Sequence, residues 1–205
     1  MGKRANPCRM FCLNDESGTV ICSWPEGAHK PAIPVPYAEE AMNGFEYQAA
    51  AHMIQEGLTR EGLNIVKAVR RRYDGERRNP WNEFECGSNY ARSMASYSLL
   101  LAYSGFSFEK NCVGFNPAVK GDCSFFWAFG EGWGTYGRTG GRITLTVLYG
   151  NLRLEKFRHP GLSRKIRISV NRKRYKKFAV RKNELSFSEP LVLTENDALM
   201  IDMQK

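Results

Sequence analysis

The stretch "YAEEAMNGFEYQAAAHMIQEGLTREGLNIVKAVRRRY", residues 37–73, decides how the chain is read. Met42, Phe45, Ala49, Met53 and Ile54 recur at three-to-four spacing, which predicts an amphipathic helix. Gly57 is placed to cap its C-terminus. Thr59 can cap a second helix, "REGLNIVKAVRRRY", whose buried face is Leu63, Val66 and Val69 and which Gly75 ends. A third helix is predicted over about 89–104, carrying Met94, Leu99, Leu100 and Leu101 and closing before Gly105. Helices with apolar stripes need other helices to cover them. The preceding residues 1–36 hold one strand-like piece, "GTVICSW", and prolines at Pro31, Pro34 and Pro36. Such extended, punctuated chain does not supply that cover. The chain therefore reads as the end of something larger.

Beyond residue 112 the period changes. "SFFWAF", "RITLTVLYG", "LRLEKF", "KIRISV", "KKFAV", "LVLTE" and "ALMID" are strand-like runs between Gly and Asn turns, which predicts an antiparallel sheet or sandwich. The expected fold class is α+β, with a lead-in at 1–36, a helical region at 37–106 and a β-rich region at 107–205.

Composition narrows the function. With 42% hydrophobic and 12% aromatic residues the chain is globular, and no apolar run reaches the roughly 18 residues that span a bilayer. "MGKRANPCRMFCLND" has no apolar core after its basic residues, so no secretory signal is read and a cytoplasmic location is expected. Six cysteines lack zinc-ligand spacing and are expected to be reduced, structural thiols; no metal or other cofactor is expected. The +9 net charge concentrates in "RKIRISVNRKRYKKFAVRK" (164–182), ten Lys or Arg with no acid. Alternation in "KIRISV" makes a solvated cationic strand face the favoured reading, and a module binding nucleic acid or anionic surfaces the alternative. Tyr175 and Phe178 are too few for a base-stacking platform, so no nucleic acid is expected.

One loop is chemically crowded. "NPWNEFECGSNYARSMASY" (79–97) brings Trp81, Glu83, Glu85, Cys86, Tyr90 and Arg92 to the mouth of the third helix. It matches no phosphate-binding loop or metal cluster, and His29, His52 and His159 are scattered. Glu83 and Glu85 could form a catalytic pair, but on composition alone the favoured reading is that they pair with Arg92 or sit solvated. The set is nonetheless what a sugar site uses, in which aromatic faces pack on a pyranose while carboxylates and a planar guanidinium hold its hydroxyls.

The helical stretch followed by "RRNPWNEFECGSNYARSMASYSLLLAYSGF" resembles glycoside hydrolase family 116, the non-lysosomal glucosylceramidases and their bacterial β-glucosidase relatives. "DESGTVICSWPEG" and "FFWAFGEGWGTY" are similar to bacterial members. The resemblance implies the last helices of an (α/α)6 toroid followed by the antiparallel β-rich region. It implies retaining cleavage of β-glucosides, which needs a nucleophile and an acid/base about 5 Å apart. In that family both lie upstream of these helices, so no catalytic residue is expected in this chain, and the missing upstream part of the same enzyme becomes its expected partner. The family has a Glu and, nine positions later, an Arg that hold the glucose. Glu83 and Arg92 match that spacing, and "ARSMASY" matches the residues around and after the family Arg. Glu83 and Arg92 are thus expected to bind substrate, a β-glucoside or glucosylated lipid, with Glu40 and Trp81 lining the groove. Met42 stands where several relatives have Trp. An accessory sugar-binding role for Trp127, Trp133 and Tyr136 competes with their use in core packing.

Overall fold

The computed structural model describes residues 12, 15–19, 21–32, 38, 40–82, 92–163 and 165–203, without the side chains of 92 and 93. The fold is α+β, in two units, Met1–Ala102 and Tyr103–Lys205.

The first unit holds α1 (Asn43–Gln55), α2 (Thr59–Arg72), and a 3-10 turn, Arg92–Ser96, that runs into α3 (Tyr97–Ser104), of which all but the last two residues belong to this unit. Gly57, at φ +84°, ends α1: its N–H reaches Ile54 O at 3.1 Å and Leu58 N–H reaches Met53 O at 2.8 Å, the paired bonds of a Schellman cap. α2 begins one residue early. Thr59 is its first helical residue and Leu58 precedes it, with no side-chain cap. The buried stripe of α1 also differs from expectation. It is Asn43, Glu46, Tyr47, Ala50, Ala51 and Ile54, and Phe45 is 54% exposed. The reason is the Glu46–Arg72 ion pair, which makes the polar side of α1 its inner side. Gly62 lets the two helices cross closely, since a Cβ there would sit 2.6 Å from Ala50 O. Tyr47, Val69 and Tyr73 form a small core, with Val66, Ala95 and Leu99 against it. The third helix is shorter than predicted. Its α-helical part starts only at Tyr97, Met94 is 83% exposed, and residues 89–91 lie outside the described set. Consecutive leucines cannot share one helix face, so Leu101 faces solvent while Leu99 packs inward.

Part of the lead-in is integrated. Ile21 N–H donates to Glu40 O (3.2 Å) and Cys22 N–H to Ala38 O (2.9 Å), a short ladder alongside the entry to α1.

The second unit contains β1 (Ser107–Glu109), β2 (Cys112–Gly114), β3 (Cys123–Phe129), β4 (Gly132–Thr139), β5 (Arg142–Arg158), β6 (Ile166–Val170), β7 (Lys173–Tyr175), β8 (Phe178–Arg181), β9 (Glu184–Thr194) and β10 (Ala198–Met203). "RITLTVLYG" and "LRLEKF" are one strand, β5. Its first half pairs with β4 and β10, its second with β9 and, in parallel, with β2. That parallel pairing departs from the all-antiparallel expectation. The inward residues of β5 change parity twice, from Ile143, Leu145 and Val147 to Leu152 and Leu154, then to Phe157. Two register shifts make the switches, one that leaves Leu148 extra between Val147 and Tyr149 and one between Leu154 and Lys156, so one strand feeds the same core from both sheet halves. β1, β2, β4 and β7 were not read from the sequence. In β4, glycines at 132, 134 and 137 break the hydrophobic alternation.

The β6–β7 hairpin turns on Asn171 (φ 50°) and Arg172 (φ 66°). A two-residue turn of this hand favours Asn-Gly, and Arg at the second position is strained. Arg172→Gly is expected to raise stability by about 0.5 kcal/mol, since relief of the turn outweighs glycine's added chain entropy; a lowered melting temperature would contradict it.

Candidate functional site

The residues expected to hold a sugar are placed unequally. Glu83 lies outside the described residues, and so does the side chain of Arg92, whose backbone opens the 3-10 turn. The structure therefore neither brings this pair together nor separates it. Trp81 is 78% exposed, in a turn where Asn79 Oδ1 accepts from Trp81 N–H at 2.9 Å. Glu40 is fully buried just before α1, and so is Met42 at 5% exposure. A groove of about 950 Å³ runs along the helical unit, lined by Phe45, Gln48 and His52 of α1 and by Ala95, Ser98 and Leu101 beyond the Arg92 position.

Sequence reasoning missed the polar centre of this unit. Arg72, 1% exposed, ion-pairs with Glu46, also 1% exposed, and donates from Nη2 to Asn43 Oδ1 at 3.1 Å. Its Nη1 donates to Ser17 O, and Glu46 Oε1 accepts from Thr19 N–H at 2.8 Å. Burial opposes the guanidinium charge, but the hydrogen bond and charge of Glu46 outweigh it and hold Arg72 above its ordinary value. Arg78 and Glu16 add a second, largely buried pair at 2.7 Å. These contacts tie Glu16–Thr19 down onto the helices. They clamp; both charges of the central pair are already partnered. Cys12 is half-buried beside them, and burial pushes its thiol up, away from the nucleophilic thiolate. The legible signal was an acid, Glu46, sharing a helix stripe with Asn43, Tyr47 and Ala50.

In the β unit an open groove of about 890 Å³ is lined by Phe115, Arg158, His159, Arg181, Lys182 and Glu184. Hydrogen bonds from Lys156 and Arg158, both at 2.8 Å, hold the Glu184 carboxyl below its ordinary value. Beneath them His159, 3% exposed, stands 3.1 Å from Tyr136 Oη. Gly161 N–H donates to His159 Nδ1 at 3.0 Å, so the neutral ring keeps its proton on Nε2 and donates it to the tyrosine oxygen. Burial, reinforced by the nearby Arg138 charge, lowers His159 to about 4. Burial likewise raises Tyr136 to about 12. A histidine lowered in the fold takes up its proton earlier when unfolded, so stability falls as pH drops from about 6.5 toward 4. The full loss is roughly 3 kcal/mol. The melting temperature should fall over that window and fall less steeply in His159→Gln; equal slopes would remove His159 as the cause.

Trp127 (1% exposed) and Tyr136 (0%) belong to the core, in line with the packing reading of these aromatics; Trp133 is 41% exposed. Among the described residues no group of three His, Cys, Asp or Glu could hold a metal ion, and no helix is long and apolar enough to cross a membrane.

No family model matches the sequence, and no curated protein does. Solved structures of glycoside hydrolases show partial similarity. A GH127 β-L-arabinofuranosidase from Geobacillus stearothermophilus T6 is 13% identical with a TM-score of 0.37, covering 56% of this chain and 19% of its own. A chain described as a glycoside hydrolase gives the same values, and another GH127 β-arabinofuranosidase gives 13%, 0.36, 60% and 23%. The chain thus spans about a fifth of those proteins, and likenesses this slight carry no argument about its activity.

Proposed function

We propose that this chain is the C-terminal portion of a retaining β-glucosidase or glucosylceramidase-like glycoside hydrolase, acting in carbohydrate metabolism. It supplies part of the glucose-binding wall through Glu83 and Arg92, with Trp81 and Glu40 beside them, and it lacks the nucleophile and acid/base. The observation that carries this reading is the run "NPWNEFECGSNYARSMASY", with its Glu, its Arg nine positions on and the helix after it. A second fact supports it. Phe45, Leu58, Met94 and Tyr97 of the helical unit are 54%, 51%, 83% and 46% exposed, as expected of helices that pack against others in a toroid. The β-glucoside or glucosylated lipid would then be held by this wall and cleaved by carboxylates on the upstream part.

Kinetics test the reading. The isolated chain should release no nitrophenol from 4-nitrophenyl β-glucoside. In a full-length relative with the matching residues, Glu→Ala or Arg→Ala at those positions should raise KM and lower kcat, about a hundredfold in kcat/KM if each loses a charged hydrogen bond. Unchanged kinetics in both would remove the pair from the site.

The alternative is a basic binding module for nucleic acid or anionic surfaces. It is favoured by Arg167, Arg172, Lys173, Arg174, Lys176 and Arg181, all exposed and without an ion pair among the described residues. That reading requires retention on DNA that weakens with salt and is lost when Arg172, Lys173 and Arg174 are neutralised.

A further inference from the structure

The outer face of β3, β4 and the first half of β5 has an unusual make-up for a chain of net charge +9. The pairings Phe126↔Thr135↔Thr146 and Ala128↔Trp133↔Tyr149 set two rows across it, and Ser124↔Gly137↔Thr144 sets a third. None of these positions is charged. Phe126, Trp133 and Tyr149 are 42%, 41% and 55% exposed. The Trp133 and Tyr149 rings are stacked at 4.2 Å between centroids and 15° between planes. Ala128, opposite Trp133 on β3, is too small to cover the indole from its other side. The hydroxyls of Thr135, Thr144, Thr146 and Tyr149 have no protein partner among the described residues. The backbone supports the pair: Trp133 shares the outward side of Thr135, and the register shift between Trp133 and Gly134 turns Tyr149 away from the inward side of Val147 to meet it.

We propose that this face binds the flat faces of pyranose rings in a neutral polysaccharide. A pyranose presents an apolar C–H face that stacks on an aromatic ring, and a rim of hydroxyls that need donors and acceptors. Rings flanked by uncommitted threonine hydroxyls meet both needs. These three rows carry no charge, and Arg142 in the next row is neutralised by Asp202 at 2.6 Å, which matches an uncharged chain and disfavours a polyanion, which would seek the cations on β6–β8. The site goes beyond the glucose wall proposed above and uses none of its residues, so the fate of the Glu83–Arg92 reading leaves it untouched.

Native affinity gels containing laminarin or hydroxyethylcellulose test it with the full chain. Retardation in at least one gel is expected, and Trp133→Ala should weaken it tenfold or more. Thr135→Val with Thr146→Val keeps shape and β-propensity while removing two hydroxyls, and should weaken retardation severalfold with the melting temperature unchanged. If Trp133→Ala perturbs the sheet, this second variant decides. No retardation by either polysaccharide, or retardation that both variants leave intact, overturns the proposal. So does retention on heparin alone that fades with salt, which would place binding on the cationic strands.

Discussion

Arg72→Ala is expected to cost the helical unit about 3–5 kcal/mol, the range for stranding one member of a buried ion pair. Truncation leaves the Glu46 carboxylate 1% exposed with its cation gone, and removes the donors to Asn43 Oδ1 and Ser17 O together. The damage extends beyond the helix contact. Glu16–Thr19 is tied down through Ser17 O and through Thr19 N–H on Glu46, so its protection against hydrogen exchange should collapse along with α1. The double replacement Glu46→Leu with Arg72→Met removes both charges and should recover much of the loss, because what is costly is a buried charge without its partner. Exchange rates of 15–22 in Arg72→Ala equal to those of the parent would show that the segment is held by something else. A small loss in the single variant would show that water reaches Glu46.

That clamp also marks where sequence reading stops. Apolar periodicity gave the existence of α1 and α2 and the Gly57 cap, because these depend on local spacing and backbone freedom. It put the α1 stripe on Phe45, because an ion pair formed between residues 26 positions apart looks like solvated polarity until α2 is in place. In the β region, runs rich in Val, Ile and Leu were legible as strands. β4 was not, since its glycines serve a close strand crossing and carry no pattern, and the union of two runs into β5 depends on a bulge that only pairing partners define. The candidate sugar wall came from a motif, and its two principal residues lie where side chains are not described. The buried Tyr136–His159 pair could not be read at all, because its members are 23 positions apart and neither has local company.

Gly134→Ala and Gly137→Ala, three residues apart on β4, should have opposite outcomes. A Cβ at 134 would lie 1.9 Å from Thr146 O and 2.5 Å from Trp127 Cζ2. The first is backbone of the neighbouring strand and the second is a fully buried indole, so neither can yield cheaply. Forcing the methyl in must part β4 from β5 beside the Trp127 core, and the cost should exceed 3 kcal/mol, at or above the upper end for overpacking. At 137 nothing lies within 4 Å, and the backbone is ordinary strand. Alanine there should be neutral or stabilise by up to about 1 kcal/mol, by restricting the unfolded chain. Urea denaturation followed through tryptophan fluorescence measures both. A well-folded Gly134→Ala protein of parental stability would mean that β4 and β5 leave room for a methyl at this crossing, and that the exposed Trp133–Tyr149 stack one residue away is not held in place by it. Loss of stability in both variants would instead indicate a general intolerance of β4 to side chains, which the open space at 137 argues against.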